Sequence, residues 1–485
     1  MAGKFIRFFA PFVRIMPEVK QPQREVSFKE KLIWTALVLV IYIIMSNIDL
    51  YKPSGPIIVG SDPVYWMRII LASNRGKLTE LGIGPIVTAG LIMQLVLGAK
   101  LIKVDMSDPY DRSMFSGAQK VMSLFMTILT AIMYLIGGQF GELTFQDGII
   151  IFMQLMLSGL VIILLDEILQ KGWGLGSGVS LFIAAGVAGQ IFWNLFNFIE
   201  VQEGIPQGIV IAMVSVFIDN DPNTNFTDIL IRPDYPNILG LITTFIIFLF
   251  VIWFESTKVE IPLQYAGYRG FKGKYPMKLL YVSNIPVILV NALYANFLFI
   301  GQWLLADNGL LRGGAIDPFW LNLIGQFEVQ GTGSTARLVP IKGLIYFLSP
   351  PNGLDALFAD PLRAIVYLSV FILLCIGLGR VWVSVSGIGP KEVSQQIIDS
   401  GMQVPGFRRS EKIIEKILKR YIPTLIVLNG IIIAILSFTA DSLGALTSGT
   451  GLLIAIGIVH QYAETISKEV AAMQYPSMRG FLGLD

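Results

Sequence analysis

The chain has 485 residues, of which 54% are hydrophobic and 14% are charged, and its mean hydropathy is +0.67. A soluble domain is usually about one quarter charged, so this composition excludes an ordinary soluble protein and predicts an integral membrane protein. The one cysteine excludes an intramolecular disulfide.

Residues 1–31 precede the first long apolar run and contain a short amphipathic segment. Lys4, Arg7 and Arg14 lie off its apolar face, and no long apolar core or cleavage site follows. The segment therefore predicts a helix at the membrane interface and not a removed signal peptide. The apolar face comprises Phe5, Phe8, Phe9, Phe12 and Met16.

Ten apolar runs follow, each of about 17 to 24 residues, which is enough to cross a hydrocarbon core roughly 30 Å thick as a helix. Polar and apolar positions alternate too weakly for a β-barrel, so the predicted fold class is all-α, a polytopic membrane protein with ten transmembrane helices. The runs begin near Leu32, Leu81, Ala118, Gly148, Leu175, Ile238, Leu279, Leu362, Ile422 and Leu443.

Lysine and arginine are distributed unevenly between alternate loops. One set of segments holds 27 of the 36 basic residues and the opposite set holds 9, whereas the acidic residues divide 17 and 17. Basic residues in short loops stay in the cytoplasm, so both termini, including residues 1–31, are predicted to lie there.

The ten runs divide into two halves of five, residues 32–236 and 237–485. Because five is odd, the second half enters the membrane from the opposite side, and the two halves are inverted relative to each other. Inverted halves are common in transport proteins, whose pathway usually follows the interface between them.

A shorter helix is predicted at residues 62–73, between the first and second runs. Asp62 is its N-cap and Pro63 its first helical residue, and at roughly ten residues it is too short to span the bilayer. A helix on the outer surface and a re-entrant helix that occludes a cavity fit this segment equally well. Its residues are Asp62, Pro63, Val64, Tyr65, Trp66, Met67, Arg68, Ile69, Ile70, Leu71, Ala72 and Ser73.

Branched aliphatic residues recur where spans begin. Ile83 and Val87 are four residues apart and share a helical face, as Val179 and Ile183 do in the fifth run. Pro85 leaves a carbonyl without its helical partner, so protein or water must adjoin the second span. From the residues alone, ordinary packing is the favoured interpretation of these aliphatic pairs.

Two cytoplasmic loops, residues 255–278 and 380–421, are rich in lysine and arginine. Alternating apolar residues in the first loop predict a protruding hairpin, and a basic helix follows Arg408 and Arg409 in the second. Orientation alone would need only a few charges, so docking of a polyanion such as structured RNA is favoured. The alternative is that these charges merely fix the topology.

Groups that could carry chemistry are scarce within the spans. Ionisable residues lie near span ends, which argues against a proton-driven pump or an ion-coupled carrier. Ser177 and His460 are the one conceivable pair of serine and base, but Gly-Ser-Gly does not match a nucleophile elbow. The sequence has no metal-ligand cluster or phosphate-binding loop, so neither a cofactor nor an enzymatic activity is predicted.

Characteristic motifs are spread over nearly the whole chain, at residues 16–19 with 28–31, 81–94, 166–167, 176–178, 281–288 and 406–423. Together they resemble the SecY/Sec61α family, the central subunit of the protein-conducting channel. Residues 66–76 are more similar to the archaeal and eukaryotic branch of that family than to the bacterial branch.

The resemblance implies an hourglass pore that is closed at its waist by a ring of apolar side chains, which can exclude water and ions by dewetting. It identifies residues 62–73 as a plug, and it implies a lateral gate between spans two, three, seven and eight. The implied ring residues are Ile83, Val87, Val179, Ile183, Ile288 and Ile454. The implied polar gate positions are Thr88, Thr130 and Asn296, and many eukaryotic relatives have glutamine where this chain has Thr130.

The implied function is translocation of unfolded polypeptides and sideways release of apolar segments into lipid, in the plasma membrane of an archaeon. The expected partners are a nascent or signal-bearing polypeptide, the lipid bilayer, the ribosome, and two small membrane subunits of the SecE/Sec61γ and Secβ/Sec61β kinds. A secondary solute transporter with inverted repeats and an intramembrane protease are the alternatives. The expected ribosome contacts are Arg269, Lys272, Lys274, Arg408 and Arg409.

Overall fold

The computed structural model describes residues 4–55, 68, 71–99, 101–102, 104, 108–136, 139–141, 143–202, 205–219, 229–230, 232, 235–265, 272–305, 323–330, 337–351, 353–399, 402–403 and 410–474. Its first helices are α1 (Lys4–Ile15), α2 (Phe28–Asn47), α3 (Gly84–Gly98), α4 (Pro109–Ile136), α5 (Phe145–Gln170), α6 (Gly178–Phe196) and α7 (Ile209–Asp219). The later helices are α8 (Ile238–Ser256), α9 (Ile285–Leu305), α10 (Leu344–Leu348), α11 (Gly353–Ala359), α12 (Pro361–Val385), α13 (Pro390–Asp399), α14 (Glu411–Ser442) and α15 (Gly449–Gln474).

Six of the described helices are long and apolar enough to cross a membrane, namely α4, α5, α6, α8, α12 and α14. The helix α3 and the Ile285–Leu298 part of α9 are apolar but shorter. These helices confirm the prediction of an α-helical multi-pass membrane protein. The count of ten spans stays a prediction.

Side-chain caps begin several of these helices close to the predicted starts of the apolar runs. The Asn237 side chain accepts a hydrogen bond of 2.6 Å from the Gly240 N–H at the start of α8, and Asp360 caps α12 in the same way. The helix α5 begins with a capping box, in which Thr144 and Asp147 satisfy each other's backbone N–H groups. Local sequence therefore fixes where these spans begin.

Some helices begin before the apolar runs predicted from the sequence, and α7 lies outside all of these runs. The helix α14 begins at Glu411, well before Ile422, because the basic segment in front of the apolar run is helical too. The helix α7 lies in the loop between the two predicted halves, where Ile209 and Ala212 are fully buried in a small apolar core. Near the N-terminus, α1 confirms the predicted helix and packs against α4.

The largest apolar core among the described residues draws on both predicted halves. It includes Val38 of α2, Ile183 of α6, Phe371 of α12 and Ile454 of α15. A second apolar core lies at the end that the basic residues assign to the cytoplasm, and it includes Leu418 of α14. Both predicted halves therefore share one apolar interior, and the elements of the basic loops form a separate core.

In the described ranges, three small sheets lie outside the apolar helices. They are formed by β1 (Glu200–Gln202) with β2 (Ile205–Pro206), by β5 (Gln326–Gln330) with β6 (Arg337–Lys342), and by β3 (Lys258–Tyr265) with β4 (Lys272–Lys278) and β7 (Met402–Gln403). The antiparallel pairing of β3 with β4, which begins at Lys258 opposite Lys278, confirms the predicted hairpin. On its other edge β3 pairs with β7, so the sheet joins the two basic loops.

Replacement of Gly430 on α14 by alanine should destabilise the protein. The added Cβ would lie 2.8 Å from Ile376 Cγ1 and 3.2 Å from the Ile376 backbone nitrogen on α12, and such overpacking typically costs about 1–3 kcal/mol. We expect a lower melting temperature for the purified chain, measured by fluorescence-detected size exclusion after heating.

The matched control for this prediction is Gly377→Ala on α12. A Cβ at Gly377 would meet nothing within 4 Å, and alanine is the better helix former by about 1 kcal/mol. We expect the melting temperature of this variant to stay the same or to rise. A melting temperature for Gly430→Ala that equals the wild-type value would contradict the close contact between α12 and α14.

Candidate functional site

The two predicted halves meet along two seams. The helix α3 packs against α9 and α12 on one side, and α6 packs against α15 on the other. All six residues predicted for the apolar ring lie on these seam helices or directly before them. Ile83 precedes α3, Val87 lies in it, Val179 and Ile183 lie in α6, Ile288 lies in α9 and Ile454 in α15.

The structure brings the six predicted ring residues into one apolar cluster. Four of them are buried, and Val179 and Ile288 are half-buried and pack against the same cluster. Residues of both predicted halves therefore belong to the same apolar core. That they enclose a shared passage stays a prediction.

Of the predicted plug, the structure describes Arg68, Leu71, Ala72 and Ser73, and the other residues of the 62–73 segment lie outside the described ranges. The described end is bound to its surroundings by backbone groups. The Tyr42 hydroxyl donates to the Ala72 carbonyl at 2.6 Å, and the N–H of the predicted ring residue Ile83 donates to the Leu71 carbonyl at 2.8 Å. The end of the plug segment thus touches the predicted ring directly.

Gly82 allows this close approach. Its φ is +53°, and a Cβ added there would lie 2.2 Å from the Leu71 carbonyl oxygen and 2.9 Å from that of Ala72. Any other residue would strain the backbone and clash with backbone atoms. Glycine is therefore required at this position, because the end of the plug segment packs directly against it.

A buried ion pair holds the same end of the plug segment. Arg68 Nη2 donates to Glu80 Oε1 at 2.8 Å, and both side chains are almost fully buried. Arg68 also donates to Ser73 Oγ at 2.9 Å, and Ser73 Oγ donates to the Glu80 carbonyl at 2.5 Å. The loss of one partner of a buried pair is strongly destabilising, because the other charge stays buried. The sequence analysis missed Glu80 and Tyr42, since their partners Arg68 and Ala72 lie 12 and 30 residues away along the chain.

The structure brings two of the three predicted gate residues together. Asn296 Nδ2 on α9 donates to Thr88 Oγ1 on α3 at 3.0 Å. The Thr130 hydroxyl instead donates to the Met126 carbonyl of its own helix at 2.7 Å. The Asn296–Thr88 bond is the one side-chain hydrogen bond between α3 and α9 among the described residues.

The opposite seam carries more polar contacts. Near α15, the Tyr462 hydroxyl donates to the Leu175 carbonyl at 3.0 Å. Further contacts join Asn194 to the Leu446 carbonyl at 2.5 Å and Thr447 to Gln190 at 2.9 Å. Among the described residues, the α3–α9 contact therefore depends more on apolar packing than the α6–α15 seam does.

The predicted ribosome contacts lie near the sheet of β3, β4 and β7. Lys274 is exposed on β4 and pairs with Glu260, while Lys272 also belongs to β4. Arg269, Arg408 and Arg409 lie outside the described residues. The sheet nevertheless joins both basic loops through the pairing of β3 with β7.

Charged groups also fix the N-terminal segment at this end. Glu167 of α5 accepts hydrogen bonds from Lys120 at 2.6 Å and from the Val19 N–H at 3.3 Å. Lys171 pairs with Glu167 at 3.0 Å and with Glu18 at 2.5 Å. The hydrogen bond from Lys171 lowers the pKa of the Glu18 carboxyl, so the charged form of Glu18 is favoured.

The structure does not pair the serine and the base that the sequence analysis considered for a protease. Ser177 Oγ donates to Asp166 at 3.3 Å, and His460 faces Glu464 at 3.4 Å, so neither is the partner of the other. Within the described ranges there is also no group of three or more residues that could hold a metal ion.

Comparisons with known proteins point to one family. A sequence model of the SecY family matches residues 77–463, and one described as the plug domain of Sec61p matches residues 40–76. Among solved structures, the chain is similar to a protein-conducting channel at 38% identity and a TM-score of 0.80. It is also similar to a SecY protein studied for a plug that stabilises the closed state (37%, 0.78), and to Sec61 in the canine ribosome–channel complex from the endoplasmic reticulum (36%, 0.77). Each match covers 97% of this chain and 99% of the other chain.

Replacement of Gly82 by alanine should displace the described end of the plug segment. Strain and clash of about 1–3 kcal/mol would shift the equilibrium between the seated and the displaced segment about fivefold or more toward the displaced form. A cysteine introduced by Ala72→Cys, in a Cys375→Ala background, should therefore react faster with a membrane-impermeant maleimide. The matched control is Gly84→Ala, whose Cβ would make an ordinary contact of 3.6 Å with Leu71. Equal labelling rates for Gly82→Ala and Gly84→Ala would rule out this seat.

Proposed function

Because the chain belongs to the SecY family, we propose that it is the central subunit of a protein-conducting channel. It translocates unfolded polypeptides across the membrane and releases apolar segments sideways into lipid. The observation that carries this proposal is that all six predicted ring residues belong to one apolar core, on or directly before four helices that join the two halves. Neither the family nor the described residues support the solute-transporter alternative.

The ring closes the channel by keeping water out. A narrow constriction lined by branched aliphatic side chains dewets, so hydrated ions have no path through it. An unfolded polypeptide can part the same side chains, because no covalent or polar contact joins one ring side chain to another. Ile83 links this ring to the plug, since its N–H donates to the Leu71 carbonyl.

The lateral gate opens between α3 and α9. That contact rests on apolar packing with the Asn296–Thr88 bond, whereas polar contacts accumulate along the α6–α15 seam. A segment of roughly 20 apolar residues gains by leaving through the gate, because Leu, Ile, Phe and Val each contribute a few tenths of a kcal/mol near the bilayer centre. Thr88 and Asn296 are the polar gate positions, and Thr130 lies on the neighbouring helix α4.

The ribosome is the partner that supplies the driving force, since the sequence has no nucleotide-binding motif. Support comes from the 36%-identical canine Sec61 in a ribosome–channel complex and from the sheet that joins the two basic loops. The proposed contacts are Arg269, Lys272, Lys274, Arg408 and Arg409. Two small membrane subunits of the SecE/Sec61γ and Secβ/Sec61β kinds complete the channel.

The basic residues support an orientation with both termini in the cytoplasm. Residues 1–31 then form the cytoplasmic N-terminal segment, 32–236 the first half and 237–485 the inverted second half. The amino-acid sequence of residues 66–76 supports an archaeal channel in the plasma membrane.

Replacement of Ile83 and Ile288 by glycine should make the channel leak ions. Loss of two branched side chains widens the constriction, so water and ions can occupy it. We expect ion flux from vesicles that contain the full chain to rise well above the wild-type level. The double variant Ile242→Gly with Ile246→Gly, at exposed positions on α8, is the control. Unchanged ion flux in the ring variant would contradict the assignment of Ile83 and Ile288 to the ring.

The channel assignment has a second, direct test. A photoreactive residue at position 83 or 288 should crosslink to a stalled nascent chain, whereas one at the exposed position 246 should not. A solute carrier would instead show saturable uptake of a small solute into vesicles and no such crosslink.

Changing Arg408 and Arg409 to glutamate should weaken ribosome binding. If each arginine binds a phosphate, the slope of log affinity against log salt should become shallower by about 1 for each phosphate that is no longer bound. Co-sedimentation of detergent-solubilised chain with ribosomes over a salt series measures this slope. The control is Lys342→Glu. Lys342 is an exposed residue of the β5–β6 hairpin, on the side of the membrane opposite to the proposed ribosome contacts. Binding identical to the wild type would exclude the arginine pair as contacts.

A further inference from the structure

We propose that Asn284 and Asp166 are positioning residues for the apolar ring. Asn284 holds the backbone of Ile454 and Asp166 holds the backbone of Val179, each from a neighbouring helix or loop. The inference rests on the proposed function, because it takes the ring as the ion seal. It extends that function by assigning the geometry of the seal to two polar side chains outside the ring.

The Asn284 side chain is inserted into the helix that carries Ile454. Asn284 precedes α9 and is 6% exposed, and its Nδ2 donates to the Leu453 carbonyl at 3.2 Å and to the Ile454 carbonyl at 3.5 Å. A Cβ added at Gly457 would lie 1.9 Å from Asn284 Nδ2. Gly457 thus provides the notch on α15 that the Asn284 amide occupies.

The residue before Asn284 is itself fixed by two other helices. The Ser283 carbonyl accepts a hydrogen bond of 3.3 Å from Asn429 Nδ2 on α14, and Ser283 Oγ donates to Glu255 Oε1 on α8 at 3.3 Å. Ser283 adopts a φ of +53°, which is uncommon for a residue other than glycine. The start of α9 therefore has a defined position, and Ile288 follows Asn284 by about one helical turn.

Asp166 acts in the same way on the other half. Its Oδ1 accepts hydrogen bonds from the Val179 N–H at 3.0 Å and from Ser177 Oγ at 3.3 Å, and its Oδ2 accepts one from Gln170 at 2.7 Å. A Cβ added at Gly178 would lie 2.6 Å from the Asp166 Cα, so α5 and the start of α6 are in close contact. The carboxylate thereby sets the height and rotation of Val179.

These contacts suit a positioning role because they are directional and hydrocarbon cannot replace them. Apolar packing alone would let a seam helix slide or rotate by a fraction of an ångström at little cost. A ring that seals by dewetting is sensitive to such shifts, because the constriction must stay narrow. Loss of either polar contact should therefore wet the ring without changing any ring side chain.

The experiment measures ion flux from lipid vesicles that contain the full chain, normalised to the amount of folded protein. Asn284→Ala should raise the flux about fivefold, which corresponds to the loss of a neutral hydrogen bond. The matched control is Asn291→Ala, because Asn291 is also buried on α9 but donates to the Val287 carbonyl of its own helix. Its ion flux should stay at the wild-type level.

A second arm tests Asp166 by conservative rescue. Asp166→Ala should raise the ion flux by a similar factor, whereas Asp166→Asn keeps an oxygen for the Val179 N–H and should stay close to wild type. Gly430→Ala separates positioning from general destabilisation, since it lowers the melting temperature at a contact between α12 and α14 and should not leak. If Asn284→Ala does not fold, Asn284→Ser replaces it. The comparison of Asp166→Ala with Asp166→Asn tests the proposal independently of Asn284.

The outcomes distinguish this inference from the proposed function. If Ile83→Gly with Ile288→Gly fails to leak, the ring is not the ion seal and the proposed function is at fault. If that variant leaks while Asn284→Ala and Asp166→Ala both stay at the wild-type flux, the positioning roles are wrong. Equal leaks from Asp166→Ala and Asp166→Asn, or from Asn284→Ala and Gly430→Ala, would also overturn them.

Discussion

A helix that begins inside a membrane protein must find partners for its first N–H groups, because hydrocarbon offers none. The helices α6 and α15 begin with the buried residues Gly178 and Gly449. In each case a carboxylate from the preceding long helix accepts a hydrogen bond from one of these N–H groups. Asp166 accepts from Val179 at 3.0 Å, and Asp441 accepts from Gly449 at 2.6 Å. The same solution appears at corresponding places in the two proposed inverted halves, between spans four and five and between spans nine and ten.

This constraint separates the groups that position the proposed pore from those that seal it. Hydrogen bonds at the helix ends depend on distance and direction, whereas apolar packing is nearly indifferent to direction. Val179 follows directly after one carboxylate-capped start, and Ile454 lies about one turn into the helix that begins at the other. The branched side chains can therefore stay purely apolar, because the polar groups that we propose to position them lie near the ends of the helices.

The local features of this architecture follow from the sequence, and the long-range ones do not. Apolar length predicts most of the long helices, and alternation predicts the β3–β4 hairpin, because both signals lie within a few residues. The pairing of Tyr265 with Met402 has no local signal, since two residues of a short strand specify no register. The insertion of Asn284 opposite Gly457 is equally invisible, because a buried asparagine and a helical glycine each fit many environments. The family resemblance, and not periodicity, names the six ring residues.

The unequal chemistry of the two seams gives a physical reason for the proposed direction of lateral opening. When two helices separate in a bilayer, lipid tails replace apolar contacts almost equally well, whereas they cannot replace a hydrogen bond. Opening between α3 and α9 exposes the Asn296–Thr88 bond, and such bonds average about 0.6 kcal/mol in membrane proteins. Opening between α6 and α15 would break the Tyr462 contact with the Leu175 carbonyl and the Thr447 contact with Gln190. Opening the α3–α9 seam therefore costs less than opening the α6–α15 seam, which supports the proposed lateral gate between α3 and α9. An apolar segment of the translocating chain lowers the cost further, because it can occupy the opened α3–α9 seam in place of lipid.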